Sequence, residues 1–390
     1  EFGLPAYVTD AAVVRRNAEE MLEAFKDHNL KIFYAIKANY NPHLVKTMKD
    51  AGIYGIDAVS ANEVQHALSI GFSPEQIIYT PSNPSTESIK EVGERGVLQN
   101  LGSLSELDRY GQLFPNTKVS IRISPEVGAG EFEKVKTGGE RTKFGLLMSD
   151  LEQVKTLCRK HNLTLAGIHS HIGSGFYEAG AFRHSVEAVL RVAREFMTVE
   201  FVDFGGGFGV AYKPGATAID LNRFADAIIA PVREYEAVTG TKLELRIEPG
   251  KYLVSNSTAL LADVTTVKHK GSVTFVGLNA GFNHLIRPAM YGAYQHVVNV
   301  SRPEGEMKWV EVVGNVCETC DVFNEGIDVA DPQEGDVLAI LVAGGYGASM
   351  SSNYNMRGRA AEVLIDGDDI KLTRRAETLD DITGQFIPLA

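Results

Sequence analysis

One rhythm constrains this chain more than any other feature. From about residue 30 to 250, a short β-branched or aromatic run is followed by a polar turn and then by a segment with helical apolar spacing. The runs fall at 32–36, 55–59, 77–80, 97–101, 119–123, 165–172, 199–204 and 243–247, with helical patterns at 43–50, 63–70, 151–161, 182–196 and 221–238. Three serines stand three residues ahead of a glutamate (Ser60 and Glu63, Ser103 and Glu106, Ser149 and Glu152), a spacing that predicts capping boxes at helix starts. Consecutive β/α units with strands this short predict closure into a TIM-like (β/α)₈ barrel rather than a doubly wound open sheet. The connection at 124–145 is longer and richer in Gly and Lys than its neighbours, which predicts a mobile loop near the site.

Beyond about residue 260 the texture changes to short alternating runs, for example 310–313, 337–342 and 361–365, broken by Gly and Asp. That pattern predicts an antiparallel β domain, sandwich- or barrel-like. The expected division is a barrel over 28–266 and a β domain formed by 1–27 with 267–390. A chain of 390 residues, 44% of them hydrophobic, can supply both cores.

Charge and cysteine usage narrow the function. A formal charge of −12 with no Lys/Arg-rich run speaks against nucleic acid and anionic membranes as partners. No stretch approaches the roughly 18 apolar residues of a membrane span. Three cysteines, Cys158, Cys317 and Cys320, make no disulfide framework, so a reduced compartment is expected: the cytoplasm, or an organelle if a targeting segment preceded Glu1. Cys317 and Cys320 form a C-x-x-C without a second Cys/His pair at metal spacing, so no metal is expected.

In a barrel of this kind the chemistry sits at the carboxyl ends of the strands. Lys37 closes the first run, Asp57 and Ser60 the second, His171 and Ser174 the sixth, Gly205, Gly206 and Gly207 the seventh, and Glu248 the eighth. Each has an ordinary reading: a solvated lysine, a tight glycine turn, an acid capping a turn. Each also has a chemical one. Glycines let backbone N–H groups approach a phosphate, a desolvated amine can attack a carbonyl, and a carboxylate can hold a ring nitrogen protonated. Lysine, phosphate cradle and acid together make pyridoxal 5′-phosphate (PLP) the economical cofactor.

Seven motifs in order sharpen this: FYAIKAN (33–39), HIGSG (171–175), GGGFG (205–209), EPGK (248–251), RPAMYGAY (287–294), CETCDVF (317–323) and GYGASMSSNYN (345–355). Over nearly the whole chain they resemble the alanine-racemase-like (fold type III) PLP-dependent decarboxylases, and within these the diaminopimelate decarboxylase family. The resemblance implies that Lys37 is the Schiff-base lysine and that His171 stacks on the cofactor ring. Asp57, Ser174, Gly205 to Gly207 and the Glu248, Pro249, Gly250, Lys251 segment line the cofactor, with Glu248 on the pyridine nitrogen. It also implies a homodimer in which the β domain of one subunit completes the barrel site of the other. Cys317 would then return a proton to the carbon that loses CO₂, and Glu318 would contact the distal amine of the substrate. Arg287, Tyr291 and Lys251 would contact substrate, and Tyr346 both cofactor and substrate.

The expected activity is decarboxylation of meso-2,6-diaminopimelate to L-lysine and CO₂. A decarboxylase of ornithine, arginine, lysine or a carboxylated polyamine is the enzymatic alternative, and a catalytically silent PLP-binding relative is the other. Arg287 argues against substrates with a cationic distal end, and the presence of both Lys37 and Cys317 argues against silence. Three positions depart from the family pattern: Lys251 where arginine is usual, Asn279 where aspartate is usual, and Cys320 where glycine is usual. Lysine keeps the charge of arginine but not its planar two-pronged contact.

Overall fold

The computed structural model describes residues 2–26, 28–125 and 142–387. Each of the eight runs is a strand: β2 (Leu30–Ala35), β3 (Gly55–Ala58), β4 (Ile77–Tyr79), β5 (Leu98–Leu101), β6 (Lys118–Ile123), β7 (Thr164–Ser170), β8 (Phe201–Asp203) and β9 (Glu244–Ile247), following β1 (Ala6–Asp10). β2 to β9 pair in parallel in chain order, and the ring closes where Ile32 of β2 stands opposite Ile247 of β9. Helices fill the intervals, including Pro42–Asp50, Ala61–Ser69, Leu151–His161, Gly180–Ala193 and Leu221–Thr239. Their apolar faces and the outward faces of the strands form one continuous core.

The barrel interior has a different character. A small apolar floor of Phe33, Ile78, Ala166 and Phe201 fills its lower part. Above it the inward positions turn polar, and Asp57, Asn100, Ser120, Arg122, His169, Asp203 and Glu248 are all buried. Burying that many polar groups is costly unless they satisfy one another or a ligand.

Helix starts follow the capping expectation twice. Ser60 accepts from Glu63 N–H (3.1 Å) and Ser103 from Glu106 N–H (3.2 Å). The two glutamates reach back one residue further than a standard box, to the N–H groups of Val59 and Gly102. Ser149 does not cap. It lies inside a 3₁₀ turn, Met148–Asp150, and Asp150 instead accepts from Leu147 N–H at 2.9 Å. The loop expected at 124–145 falls for the most part on 126–141, outside the described residues.

The remaining strands are β10 (Thr258–Lys270), β11 (Val273–Leu278), β12 (Val297–Asn299), β13 (Met307–Val313), β14 (Val322–Ala330), β15 (Val337–Ile340), β16 (Ala361–Asp366) and β17 (Asp369–Arg374). With β1 they make a nine-stranded sheet whose main path runs β14-β13-β11-β10-β1-β16-β17, while β15 pairs with β10 and β12. The sheet is mixed rather than antiparallel. β1 lies parallel to β16, and β11 parallel to β13. The first pairing arises because β1 comes from the other end of the chain, and the second because a long excursion through β12 separates β11 from β13.

Packing around the expected boundaries is specific. Val14, Ala18 and Met21 of the helix Ala11–Ala24 are buried in the barrel core, so within 1–27 it is β1 that joins the sheet. β10 runs continuously through position 266.

Candidate active site

The mouth of the barrel gathers the groups that close its strands. The turn Ile36–Ala38 after β2 presents Lys37, whose Nζ donates to Asp57 Oδ2 at 2.5 Å. Asp57 lies within β3 and is fully buried. Burial acts to lower the Lys37 pKa, but the Asp57 carboxylate, with Tyr346 and Glu248, outweighs it and holds the amine above the ordinary lysine value.

Beyond β7 and β8 two loops zip together. Gly175 and Phe176 N–H groups both donate to Gly207 O (2.9 and 2.8 Å), and Gly206 N–H donates to His171 Nδ1 at 3.2 Å. These contacts leave no room for side chains at the glycines. A Cβ on Gly206 would sit 2.1 Å from Glu248 O, and Gly207, at φ +107°, would place one 2.5 Å from Gly173 O. Ser174 lies half-buried in the same loop pair. Burial, helped by Arg122 and Lys37, pushes His171 well below the usual histidine value, so its imidazole is neutral.

Glu248 follows β9 and is buried. Its Oε2 lies 3.1 Å from His169 Nε2, and among the described residues its Oε1 has no hydrogen-bond partner. Burial, reinforced by the nearby Asp57, raises the Glu248 pKa, while burial brings His169 down to about 4. Pro249 O accepts from Ala35 N–H at 3.1 Å and joins the last strand to the first. Lys251 opens a short helix, Lys251–Val254, and is buried.

The sheet domain reaches into this mouth within the same chain. Tyr346, at φ +62°, donates its N–H to Ala38 O (2.8 Å), while Asn39 Nδ2 donates to Gly344 O (3.1 Å). Tyr346 is held above the ordinary tyrosine value by burial, and Lys37 and Arg287 stand close enough to oppose that shift. Arg287 begins the short helix Arg287–Tyr291 and is 2% exposed. Its guanidinium lies 4.6 Å from the centre of the Tyr212 ring, and Lys251 Nζ lies 5.9 Å from the same ring. With its amide turned to donate to Leu341 O, Gln295 accepts from Arg287 Nη1 at 3.2 Å.

Cys317 and Glu318 are placed differently. Both are exposed on the connection between β13 and β14. Asn355 clasps Cys317 through both its amide atoms, donating to Sγ (3.3 Å) and accepting from Cys317 N–H (3.2 Å), and Tyr354 OH donates to Glu318. Asp321 organises this connection by accepting from the N–H groups of Phe282 (2.6 Å) and Val316 (2.7 Å). Cys320 is exposed beside it.

The departure at Asn279 has a structural explanation. Its side chain accepts from Asp263 N–H (2.9 Å) and donates to Asp263 Oδ2 (2.8 Å), spanning the irregularity in the β10–β11 pairing. An amide can serve both functions, whereas a carboxylate would face Asp263 as a like charge.

Among the groups that lay outside the sequence expectation are Arg122, His169, Asp203 and Tyr212. The first three carry a readable signal, since each is a polar residue in the last two positions of its strand. Tyr212 has none.

The site fits PLP on its own terms. A buried carboxylate oxygen without a donor among the described residues suits a ring N–H, side-chain-free glycines suit a phosphate, and a lysine stands near the carboxylate. Comparison with known proteins agrees. The chain belongs to the pyridoxal-dependent decarboxylases, with residues 11–255 matching the pyridoxal-binding domain of that family. PLP is the cofactor, and the reaction class is decarboxylation. Within the family it is similar to the diaminopimelate decarboxylase of Methanothermobacter thermautotrophicus, with 38% identity covering 100% of this chain and 93% of that protein. A diaminopimelate decarboxylase crystal structure superposes with a TM-score of 0.92 at 34% identity, covering 98% of this chain and 93% of that one. The M. jannaschii diaminopimelate decarboxylase in complex with L-lysine does so with a TM-score of 0.91 at 31% identity, covering 99% and 93%.

Proposed function

We propose that this chain decarboxylates meso-2,6-diaminopimelate to L-lysine and CO₂, the last step of lysine biosynthesis. The observation that carries the reading is Arg287, a cation only 2% exposed at a barrel mouth that also holds Lys251. A substrate ending in a carboxylate would neutralise such a cation, whereas the distal amine or guanidinium of ornithine, lysine or arginine would add a second buried positive charge.

When bound, PLP supplies an electron sink for the pair released as the Cα–carboxylate bond breaks. Around it this chain's residues have separate tasks. Lys37 would hold the aldehyde carbon, with Asp57 fixing the amine's position. Ser174 and the N–H groups of Gly205 to Gly207 would hold the phosphate. Neutral His171 would lie against one face of the ring without adding charge, and Glu248 would accept the ring N–H. Pro249, Gly250 and Lys251 would line the cofactor's edge, with Tyr346 bridging cofactor and substrate. Arg287, Tyr291 and Lys251 would hold the distal carboxylate.

Cys317 and Glu318 complete the site from a second copy. Their exposure on the sheet domain suits residues that enter a partner's barrel, Cys317 giving a proton to the carbon left by CO₂ and Glu318 meeting the distal amine. We place the working unit, a homodimer, in the cytoplasm, on the strength of its free thiols. Among the described residues no helix is long and apolar enough to cross a membrane. The packing of Ala11–Ala24 and the run of β10 favour domain limits near 10/11 and 257/258 in place of 27/28 and 266/267.

The test is release of CO₂ from a panel of meso-diaminopimelate, ornithine, arginine and lysine. The expected result is a clear preference for the first, and preference for any of the others would reject the assignment. Mixing inactive Lys37→Ala and Cys317→Ala subunits should restore part of the activity if the site is shared between copies.

A further inference from the structure

Beside Asp57 and Glu248 lies a third buried acid, Asp203, with no task in the reaction. Asp203 ends β8, is fully buried, and stands in register with His169 of β7 and Arg246 of β9. One ligand atom each from His169, Asp203 and Glu248 can be chosen so that all lie within 4.8 Å of one another. Asp203 Oδ1 accepts the Gly205 N–H at 2.9 Å, while among the described residues Oδ2 has no partner, and neither has Glu248 Oε1. Two carboxylates this close in a water-poor interior cannot both ionise cheaply, and one proton between them removes the repulsion.

We propose that Asp203 is a positioning residue for Glu248: it carries the proton of this buried pair and donates it as a hydrogen bond, leaving Glu248 ionised toward the cofactor's ring nitrogen. Its other oxygen holds Gly205, so a single side chain ties the acid at the ring end of the cofactor to the glycine loop at its phosphate end. The reading rests on the role given to Glu248 above.

The surroundings favour the proton on Asp203 rather than on Glu248. Lys37 and Arg122 face Glu248 and stabilise its anion, and His169 reaches it through Nε2, against one nearby Asp57 carboxylate. Burial raises both carboxyls alike, to about 8, so the distinction lies in what faces each: Asp203 meets His169, Arg246 and Glu248 itself. Arg246 is already engaged by Glu244 at 2.8 Å and stacked 3.6 Å from the centre of the Phe201 ring.

The direct test is the infrared spectrum of the wild-type holoenzyme at neutral pH. A C=O stretch of a protonated, buried carboxylic acid is expected, and it should vanish in Asp203→Asn. Its absence in the wild type, or its survival in Asp203→Asn, would overturn the proposal. Function gives a second readout. Asp203→Leu should weaken PLP binding roughly ten- to hundredfold, as expected for orphaning buried polar groups, and shift the pH profile of the cofactor's absorption. Asp203→Asn, which can still donate to Glu248 and accept from Gly205, should rescue both. If Asn behaves as Leu does, the aspartate acts as an anion and the proposal fails. Glu248→Gln separates the two readings: PLP affinity and absorption unchanged by that substitution would remove Glu248 from the ring nitrogen, whatever the infrared band shows.

Discussion

The barrel mouth and the connection carrying Cys317 contribute to the same proposed chemistry with opposite construction. At the mouth, Asp57, His169, Asp203 and Glu248 are buried on rigid strands or at their ends, and their interactions come from neighbouring strands. Cys317 and Glu318 instead lie exposed on the sheet domain, held by Asn355 and Tyr354 from another loop of that domain. The difference follows from what each group must do. A residue that tunes a cofactor's electronics needs low dielectric and fixed distance, which only a packed interior provides. A residue that delivers a proton to substrate must stay accessible until substrate and partner are in place.

The comparison is broken or sharpened by substitution. The largest effect is expected at Lys37, where Lys37→Ala should abolish both the visible cofactor absorption and its fixation by borohydride, with turnover lost. Retention of that band would mean that another amine holds the cofactor. Cys317→Ala should separate the two regions, keeping cofactor absorption intact while kcat falls roughly 10²- to 10⁴-fold, the usual range for loss of a general acid. Near-wild-type turnover would locate the proton donor in the barrel instead. Arg287→Met should raise KM for diaminopimelate about 10- to 100-fold with a smaller change in kcat, the pattern for a lost charged hydrogen bond made to both substrate and transition state. A kcat effect as large as the KM effect would place Arg287 in the chemical step.

A smaller effect concerns stability and pH in the cofactor-free protein. Asp203 and Glu248 both have pKa values raised by burial, so the folded chain retains protons that the unfolded chain releases. Their contribution to stability is present below the ordinary carboxylate range and is lost as pH rises through neutrality. Urea midpoints measured across that interval should fall for the wild type and fall less for Asp203→Asn. Smallest of all, Asn279→Asp should cost about 1 kcal/mol by replacing a donor with a like charge opposite Asp263, while activity per folded molecule holds. A larger loss would mean that the β10 irregularity depends on this one side chain.

Much of the barrel was legible because its determinants are local. Apolar runs of strand length, helical spacing and serine caps act within a few residues of one another, so all eight strands fall where the pattern places them. Ser149 was the exception, since Asp150 competes for the same turn with an equally local hydrogen bond. The sheet was less legible. β1 pairs with strands from the far end of the chain, and nothing within 6–10 announces a parallel partner at 361–366. Lys37, His171 and Glu248 could be picked out because they close predicted strands. Asp203 and Arg122, the last and next-to-last residues of β8 and β6, escaped because a polar residue at the end of a short strand looks like the start of the following turn until the barrel closes around it.

Sequence alone determined the (β/α)₈ plan and, through motif order, the family, and it set the lysine, the glycine loop and the acid at strand ends, because each depends on spacing along one chain. Only the tertiary structure decided how charge is distributed among them. Strand closure puts Glu248 beside His169 and Asp203, which are 79 and 45 positions away in sequence, and docking of the sheet domain brings Tyr346 near both Lys37 and Arg287 while leaving Cys317 exposed. Burial and pairwise electrostatics depend on distance in space, and no local pattern encodes that distance.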